Sequence, residues 1–300
     1  MLLCLLLCLL ILNAKATNLK AFPLTFEDST GNKIALNATP KKIISLYSAF
    51  NEIMLAIGAH DKICAKTVQD TNPSLAHLPN IGTHMRPNLE LIAAEKPDLI
   101  IQLHGRTDAS LQAEALRKLG FTVAQFKLNS FKDVFDVTSI LGEITGQTAQ
   151  AYSTISTWQN RLKEIGARNL GGKTIKVIFE IRSPELLVAG TNNIVSEIIQ
   201  IAGGQNIISI PKKIVRINEE EIIRLDPDAY VIQKGPMNPN PIPLIDRPNL
   251  RILTAAQNGR SLIVNEDLFS RPGPLAIDAC DLLEKWLHSS NKNDNDAKNE

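Results

Sequence analysis

Apolar and polar positions follow two rhythms along this chain. Short β-branched runs, which predict strands, alternate with stretches of helical spacing closed by glycine. Lys42–Leu46 predicts a strand, and Ala49–Ile57 then carries helical spacing and stops at Gly58. Ile63–Lys66, Asp98–Leu103 and Thr122–Phe126 predict further strands, with an amphipathic helix over Asp108–Leu119 closed by Gly120. Strands separated by helices imply βα units and a mostly parallel sheet. The middle differs. Phe131–Ile144 and Gln147–Arg168 both read as helical, broken only at Thr145-Gly146, and the second is long and polar on one face. It predicts a bridge between two α/β lobes. After Gly171-Gly172 the alternation resumes, with strands over Thr174–Ile181, Glu185–Ala189, Ala229–Lys234 and Ser261–Asn265. Helices are expected over Asn193–Ala202 and Pro274–Leu287. The expected organisation is a first lobe over 17–145, a bridging helix over 146–170 and a second lobe over 171–288.

Length and composition agree with two lobes. The 300 residues suit roughly two domains of ~150 residues. Hydrophobic residues make up 44% and charged residues 21%, enough for a real core. A net charge of +1 supplies no strong field toward nucleic acid or anionic lipid, so neither is expected as a partner.

The start reads as a leader. Leu2–Leu12 is nearly all apolar and is followed by Asn13-Ala14-Lys15-Ala16, a short apolar region with an Ala-x-Ala site. It predicts export, with cleavage after Ala16. No Lys or Arg precedes the run, and the run is shorter than the ~20 residues a membrane span needs. Leu5-Leu6-Leu7-Cys8 invites a lipid-anchor reading, but such signals place a small residue before the Cys and Leu7 is large. Export with cleavage is preferred. Cys4 and Cys8 leave with the leader, and Cys64 and Cys280, in different lobes, are expected as buried free thiols. The polar run 289–300 reads as a disordered tail.

One segment occurs twice. Residues 88–98 read NLELIAAEKPD and residues 218–228 read NEEEIIRLDPD. Asn88 and Asn218 are placed as helix N-caps, with Glu90 and Glu220 in the first turn, where the helix dipole favours a carboxylate. Glu221 is placed to reach back in a capping box. Capping explains a glutamate here, but not why both lobes carry the whole pattern.

These pieces, in this order, resemble the periplasmic binding proteins that serve ATP-driven importers of iron-siderophores, haem and cobalamin. The likeness runs through Ile43-Ile44-Ser45-Leu46, Asn51-Glu52-Ile53-Met54-Leu55-Ala56-Ile57-Gly58, Ile81-Gly82 and the Asn88 segment. It continues through Ala189-Gly190, Ala202-Gly203-Gly204-Gln205-Asn206 and Asp226-Pro227-Asp228. The resemblance implies two Rossmann-like α/β lobes joined by one long helix, with the ligand cleft between them. It implies an extracytoplasmic, monomeric binding protein that delivers an iron chelate, siderophore or haem, to an ABC-type permease. It also implies that Glu90 and Glu220 dock on permease arginines.

Ligands of open α/β sheets gather beyond the carboxyl ends of the strands. That rule nominates Tyr47, His104, Arg106, Arg182, Met237 and Arg271, with His84 and Met85 in a loop able to reach the cleft. Tyr, His and Met can ligate iron or haem, and Arg suits anionic groups of a chelate. A surface role for each His, packing for Met237 and bracing of the last helix for Arg271 are the plain alternatives. Many relatives carry a further Arg after Pro272-Gly273-Pro274, where this chain has Leu275. Cobalamin is the second ligand considered, although only 5% of residues are aromatic. A bare metal ranks lower, because the second lobe has no His before His288. No Gly-x-Ser-x-Gly, His-Glu-x-x-His or phosphate loop is present, so neither an enzyme nor a catalytic cofactor is expected.

Overall fold

The computed structural model describes residues 22–168 and 174–289. The expected leader, the Gly171-Gly172 boundary and the tail beyond Ser289 lie outside these residues. A hairpin of β1 (Leu24–Glu27) and β2 (Lys33–Leu36) comes first. The first lobe follows, with β3 (Ile43–Ser45), α1 (Ser48–Ala56), β4 (Ile63–Ala65), α2 (Leu89–Glu95), β5 (Leu99–Leu103), α3 (Thr107–Lys118) and β6 (Val123–Phe126). Next are α4 (Phe131–Thr145) and α5 (Thr148–Ala167). The second lobe contains β7 (Ile175–Arg182), β8 (Leu187–Ala189), α6 (Ile194–Ile201), β9 (Gly204–Asn206), β10 (Ile214–Arg216) and α7 (Glu219–Leu225). It is completed by β11 (Ala229–Lys234), α8 (Thr254–Gln257), β12 (Ser261–Asn265), α9 (Glu266–Phe269) and α10 (Leu275–His288).

The first sheet runs β4-β3-β5-β6 and is wholly parallel. The second is mixed. It runs β10-β8-β7-β11-β12, with β9 also on β7, and β8 is antiparallel to both β7 and β10. The expectation of mostly parallel sheets holds, since β7-β9, β7-β11 and β11-β12 are parallel, and the antiparallel β8 is the exception. β8 turns straight back on β7 after a four-residue reversal, 183–186, too short for the crossover that a parallel strand requires. The same pairing extends β7 by one residue, so Arg182 ends the strand rather than following it.

Alternate strand residues feed opposite faces, which gives each sheet two packed layers of helix. Ile43, Leu99, Ile101 and Phe126 join one buried cluster, while Ile44, Ile100 and Val123 join another. In the second sheet Val177, Phe179 and Val231 face one side, and Ile178, Tyr230 and Ile232 the other.

The long helix joins the lobes, and it does not act alone. On α5, Ala151 belongs to the first core, Ile165 to the second, and Trp158 packs against both. Helix α4 lies beside it, with Val134, Val137 and Leu141 in the first core and Phe131 in the second. The helices touch at Gly142, where a Cβ would stand 2.4 Å from Ala151 Cβ. Gly142→Val should therefore destabilise the protein by about 1–3 kcal/mol through overpacking. Urea unfolding checks this, and an unchanged midpoint would refute the tight crossing.

Among the described residues both cysteines are free, Cys280 buried and Cys64 only half-buried, because Cys64 lies on an edge strand. Burial pushes the Cys64 thiol up to about 11 and Cys280 higher still, so both are inert at neutral pH.

Candidate functional site

The repeated segment has a structural explanation that spares two of its residues. Asn88 Oδ1 accepts from the backbone N–H groups of Glu90 and Leu91 at 3.0 and 3.1 Å, and Asn218 Oδ1 from that of Glu221 at 3.0 Å. The helices end on left-handed Lys96 and Asp226, directly before Pro97 and Pro227. Asp98 then accepts from the N–H groups of Lys41 and Lys42 at 2.7 and 2.9 Å, fixing the start of β3. Asp228 accepts from Lys176 N–H at 2.8 Å on β7. The Asn and the Pro-Asp thus cap a helix and bracket the neighbouring strand in each lobe.

The glutamates divide differently. Glu219 accepts from Asn249 Nδ2 at 2.6 Å. Glu221 does not reach back as a capping box; its carboxylate is held by Arg224, one turn along, at 2.6 and 2.7 Å. Glu90 and Glu220 are exposed, and neither side chain makes an ion pair or hydrogen bond among the described residues.

At the carboxyl ends of β3 and β5 the structure gathers four of the predicted ligand residues. Tyr47 precedes α1, and its ring meets His84 edge to face, 6.0 Å between centroids. His84 sits on a loop shaped by Gly82, whose φ is 98° and where a Cβ would fall 2.7 Å from Arg86 O. Only glycine fits that backbone. Met85, next to His84, gives its carbonyl to Gln112 Nε2 at 2.6 Å, and its Sδ lies 2.6 Å from Arg106 Nη2. Arg106, before α3, also binds Asp108 through Nε and Nη2 at 3.1 and 3.0 Å.

Burial pushes the Tyr47 hydroxyl up to about 12, against the opposing charge of Arg271. Burial first, and the charge of Arg106 second, hold the His84 imidazole below its usual pKa. Both rings are therefore neutral at pH 7, and His84 offers a nitrogen lone pair that an imidazolium lacks.

Arg271 arrives from the other lobe. It is 9% exposed, and its Nη1 donates to Glu52 Oε1 of α1 at 2.8 Å while Nη2 binds Asp267. Gly273 follows the same path, since a Cβ there would stand 3.2 Å from Ala49 Cβ. This contact ties the second lobe to α1 of the first. Burial, the largest influence, raises the Glu52 pKa, and Arg271 pulls it back. Arg271→Met removes that pull, so the folded-state pKa of Glu52 rises further above its unfolded value. Its contribution is then present below the unfolded pKa and lost as pH rises through the folded one. The variant should lose about 2 kcal/mol at pH 8 and less near pH 4.5. Chemical denaturation at the two pH values checks the sign.

The remaining predicted residues stand apart. His104 is half-buried, with Nδ1 buried and unpartnered, and no described contact joins it to the Tyr47–His84 pair. Arg182 pairs with Glu185, which also binds Arg216. Met237 lies in a tight turn after β11, its N–H donating to Glu266 at 3.2 Å. Sequence reasoning missed Glu52 and Asp267 as partners of Arg271. The four-residue spacing of Asp267 and Arg271 was the available signal. Among the described residues no three His, Cys, Asp or Glu side chains converge on a metal position.

Residues 43–267, most of both lobes, match the periplasmic binding protein family. The chain belongs to that family. This periplasmic binding protein is 26% identical over 276 residues to an ABC transporter substrate-binding lipoprotein of Bacillus subtilis, covering 90% of this chain and 87% of that one. It is 24% identical over 277 residues to the vitamin B12-binding protein of Vibrio cholerae, covering 89% and 96%. The crystal structure of the periplasmic vitamin B12 binding protein of Vibrio cholerae aligns at TM-score 0.69 and 22% identity, over 83% and 97% of the two chains. A periplasmic heme binding protein from Pseudomonas aeruginosa aligns at TM-score 0.71 and 23% identity, over 82% and 92%. These structures share the two-lobed fold described above.

Proposed function

We propose that this periplasmic binding protein captures an iron chelate, siderophore or haem, between its lobes and hands it unchanged to an ABC-type permease. The Tyr47–His84 pair carries the ligand reading. It is a neutral aromatic wall with a nitrogen donor, set at the carboxyl ends of the first sheet. Tyr47, with its raised pKa, serves as wall and hydrogen-bond donor, and His84 is the better iron ligand. Met85, Arg106 and Arg271 complete the proposed site around the pair; His104, Arg182 and Met237 are left outside it. Glu90 and Glu220 carry the docking, because each is exposed and uncommitted at the same position of its lobe. The chain works outside the cytoplasm as a monomer after removal of its leader. Anchoring through Cys8 is the less favoured variant, suggested by Leu5-Leu6-Leu7-Cys8 and by the lipoprotein relative.

Cobalamin is the second reading, favoured by the likeness to the Vibrio cholerae protein. Against it, Trp158 and Trp286 lie on α5 and α10, away from Tyr47. The test uses colour. Purified residues 17–300 are mixed with a ferric siderophore, haemin or cyanocobalamin, passed through gel filtration, and read in the visible. An iron chelate retained one to one, with its spectrum altered in His84→Ala, supports the reading. Retention of cyanocobalamin alone replaces it with the second reading, and a colourless protein peak overturns both.

A further inference from the structure

We infer that the free edge of β12 is a self-association surface, on which two copies of this chain pair antiparallel about Ile263 and join their second-lobe sheets into one. The docked, delivering form stays the monomer proposed above; the pair is what the undocked chain forms at high concentration.

β12 ends the order β10-β8-β7-β11-β12, so a strand lies on only one of its sides. Tyr230 N–H donates to Arg260 O at 2.9 Å, which turns the backbone of Arg260, Leu262 and Val264 toward β11. Backbone groups alternate along a strand, so those of Ser261 and Ile263 face outward. Among the described residues no strand meets them. The other edges of the two lobe sheets are guarded in ways that discourage pairing. β4 is three residues long, between Lys62 and Lys66. β6 is covered by the β1–β2 turn, where Ser29 N–H donates to Gln125 O at 2.8 Å. β9 and β10 have three residues each, and β10 carries Arg216. β12 is five residues of Ser-Leu-Ile-Val-Asn, with no charge, no proline and no bulge.

Apolar surface lies open beside this edge. Val264 is buried in the second core, but Ile263, on the opposite face, is 41% exposed. It borders a groove of about 790 Å³ lined also by Pro236, Pro243, Leu244 and the exposed Ile245. The strand is complementary to itself. It reads polar, apolar, Ile, apolar, polar, so an antiparallel copy sets Ile263 against Ile263, Leu262 against Val264 and Ser261 against Asn265. Ile263 then exchanges two backbone hydrogen bonds with its counterpart, and the two side chains meet on the groove face. The ends match as well. Arg260 precedes the strand and Glu266-Asp267 follow it, so the same register brings Arg260 of one copy opposite Glu266 of the other. A parallel pairing would oppose like charges. A twofold contact of this kind closes on itself and stops at two copies. The chain's own end begins nearby, since Arg260 donates to Trp286 O and Leu287 O at 3.1 and 2.5 Å. Residues 290–300, however, hold no apolar side chain except Ala297, a poor match to an apolar groove.

Sedimentation equilibrium of purified residues 17–300, from about 5 to about 500 μM, tests this. The mass is expected to climb from monomer toward dimer and no further, as a small, reversible interface allows. Ile263→Lys sets two like charges face to face on the axis and should raise the dimer dissociation constant at least about tenfold. The side chain is exposed, so the urea midpoint of the variant should not move. A second readout fixes the register. Opposed residues have Cα atoms about 5.5 Å apart, within disulfide reach, so Ile263→Cys should crosslink to itself under mild oxidation. Ser261→Cys should crosslink only when mixed with Asn265→Cys. A monomer at every concentration overturns the pairing, as does association unchanged in Ile263→Lys. Crosslinking of Ser261→Cys alone, with none at Ile263→Cys, overturns the register. Association of residues 17–289 but not of 17–300 makes the chain's own tail the occupant and overturns the second copy. None of these readouts uses the chelate, so failure here is distinct from failure of the ligand reading.

Discussion

Replacing Glu90 and Glu220 together by arginine is expected to abolish uptake in cells carrying the importer, while the purified protein binds its chelate as before. Both carboxylates are exposed and unpartnered, so their removal disturbs no described interaction within the chain. In the docking proposed above, each reversal would replace an attraction to a permease arginine with like-charge repulsion, on the order of several kcal/mol. Either single reversal should leave reduced but measurable uptake. The neighbouring carboxylates supply the control. Glu219 is held by Asn249 and Glu221 by Arg224, so reversing Glu221 should cost a little stability and much less uptake. Uptake that survives the double reversal, or that falls equally in the Glu221 variant, would sink the docking assignment.

Arg247→Met is expected to cost about 3–5 kcal/mol of stability, the largest effect foreseen for a single substitution here. Arg247 donates to both oxygens of Glu180, at 2.5 and 2.8 Å, and through Nε to Ile242 O at 2.9 Å. Tyr230 Oη donates to the same carboxylate at 2.7 Å. Glu180 and Tyr230 are fully buried and Arg247 is 6% exposed. Removing the guanidinium leaves a carboxylate in the core with one neutral donor. Tyr230 cannot help by ionising, because burial, and then the charge of Glu180, push its pKa well above the ordinary value. The double variant Glu180→Met, Arg247→Met should recover much of the loss, since a packed apolar pair replaces the ion pair without a stranded charge. Urea unfolding of the two singles and the double measures this. A double variant no better than Arg247→Met would mean that the loss comes from the 235–250 loop, released from Ile242, rather than from Glu180.

The elements were legible where local chemistry forms them. The strand and helix at Ile43–Ala56, the break at Gly146 and the long α5 follow from periodicity and from glycine's tolerance of positive φ. The hairpin β1–β2 and the three-residue strands β9 and β10 were not seen. Each is too short to show a period, and each is a strand only because a partner supplies its hydrogen bonds. The antiparallel course of β8 escaped for the same reason.

The sequence by itself determined the two α/β lobes, the bridge and the family, because these rest on the order of short-range signals along the chain. It also singled out Glu90 and Glu220, since the repeat marked them. Only the tertiary structure decided which of three adjacent glutamates is free, because Asn249 and Arg224 had to be in place to occupy the other two. Only it paired Arg271 with Glu52. That contact joins residues 219 positions apart on different lobes. Charge acts through space, and no spacing along one chain encodes which face of a second lobe will stand across a cleft.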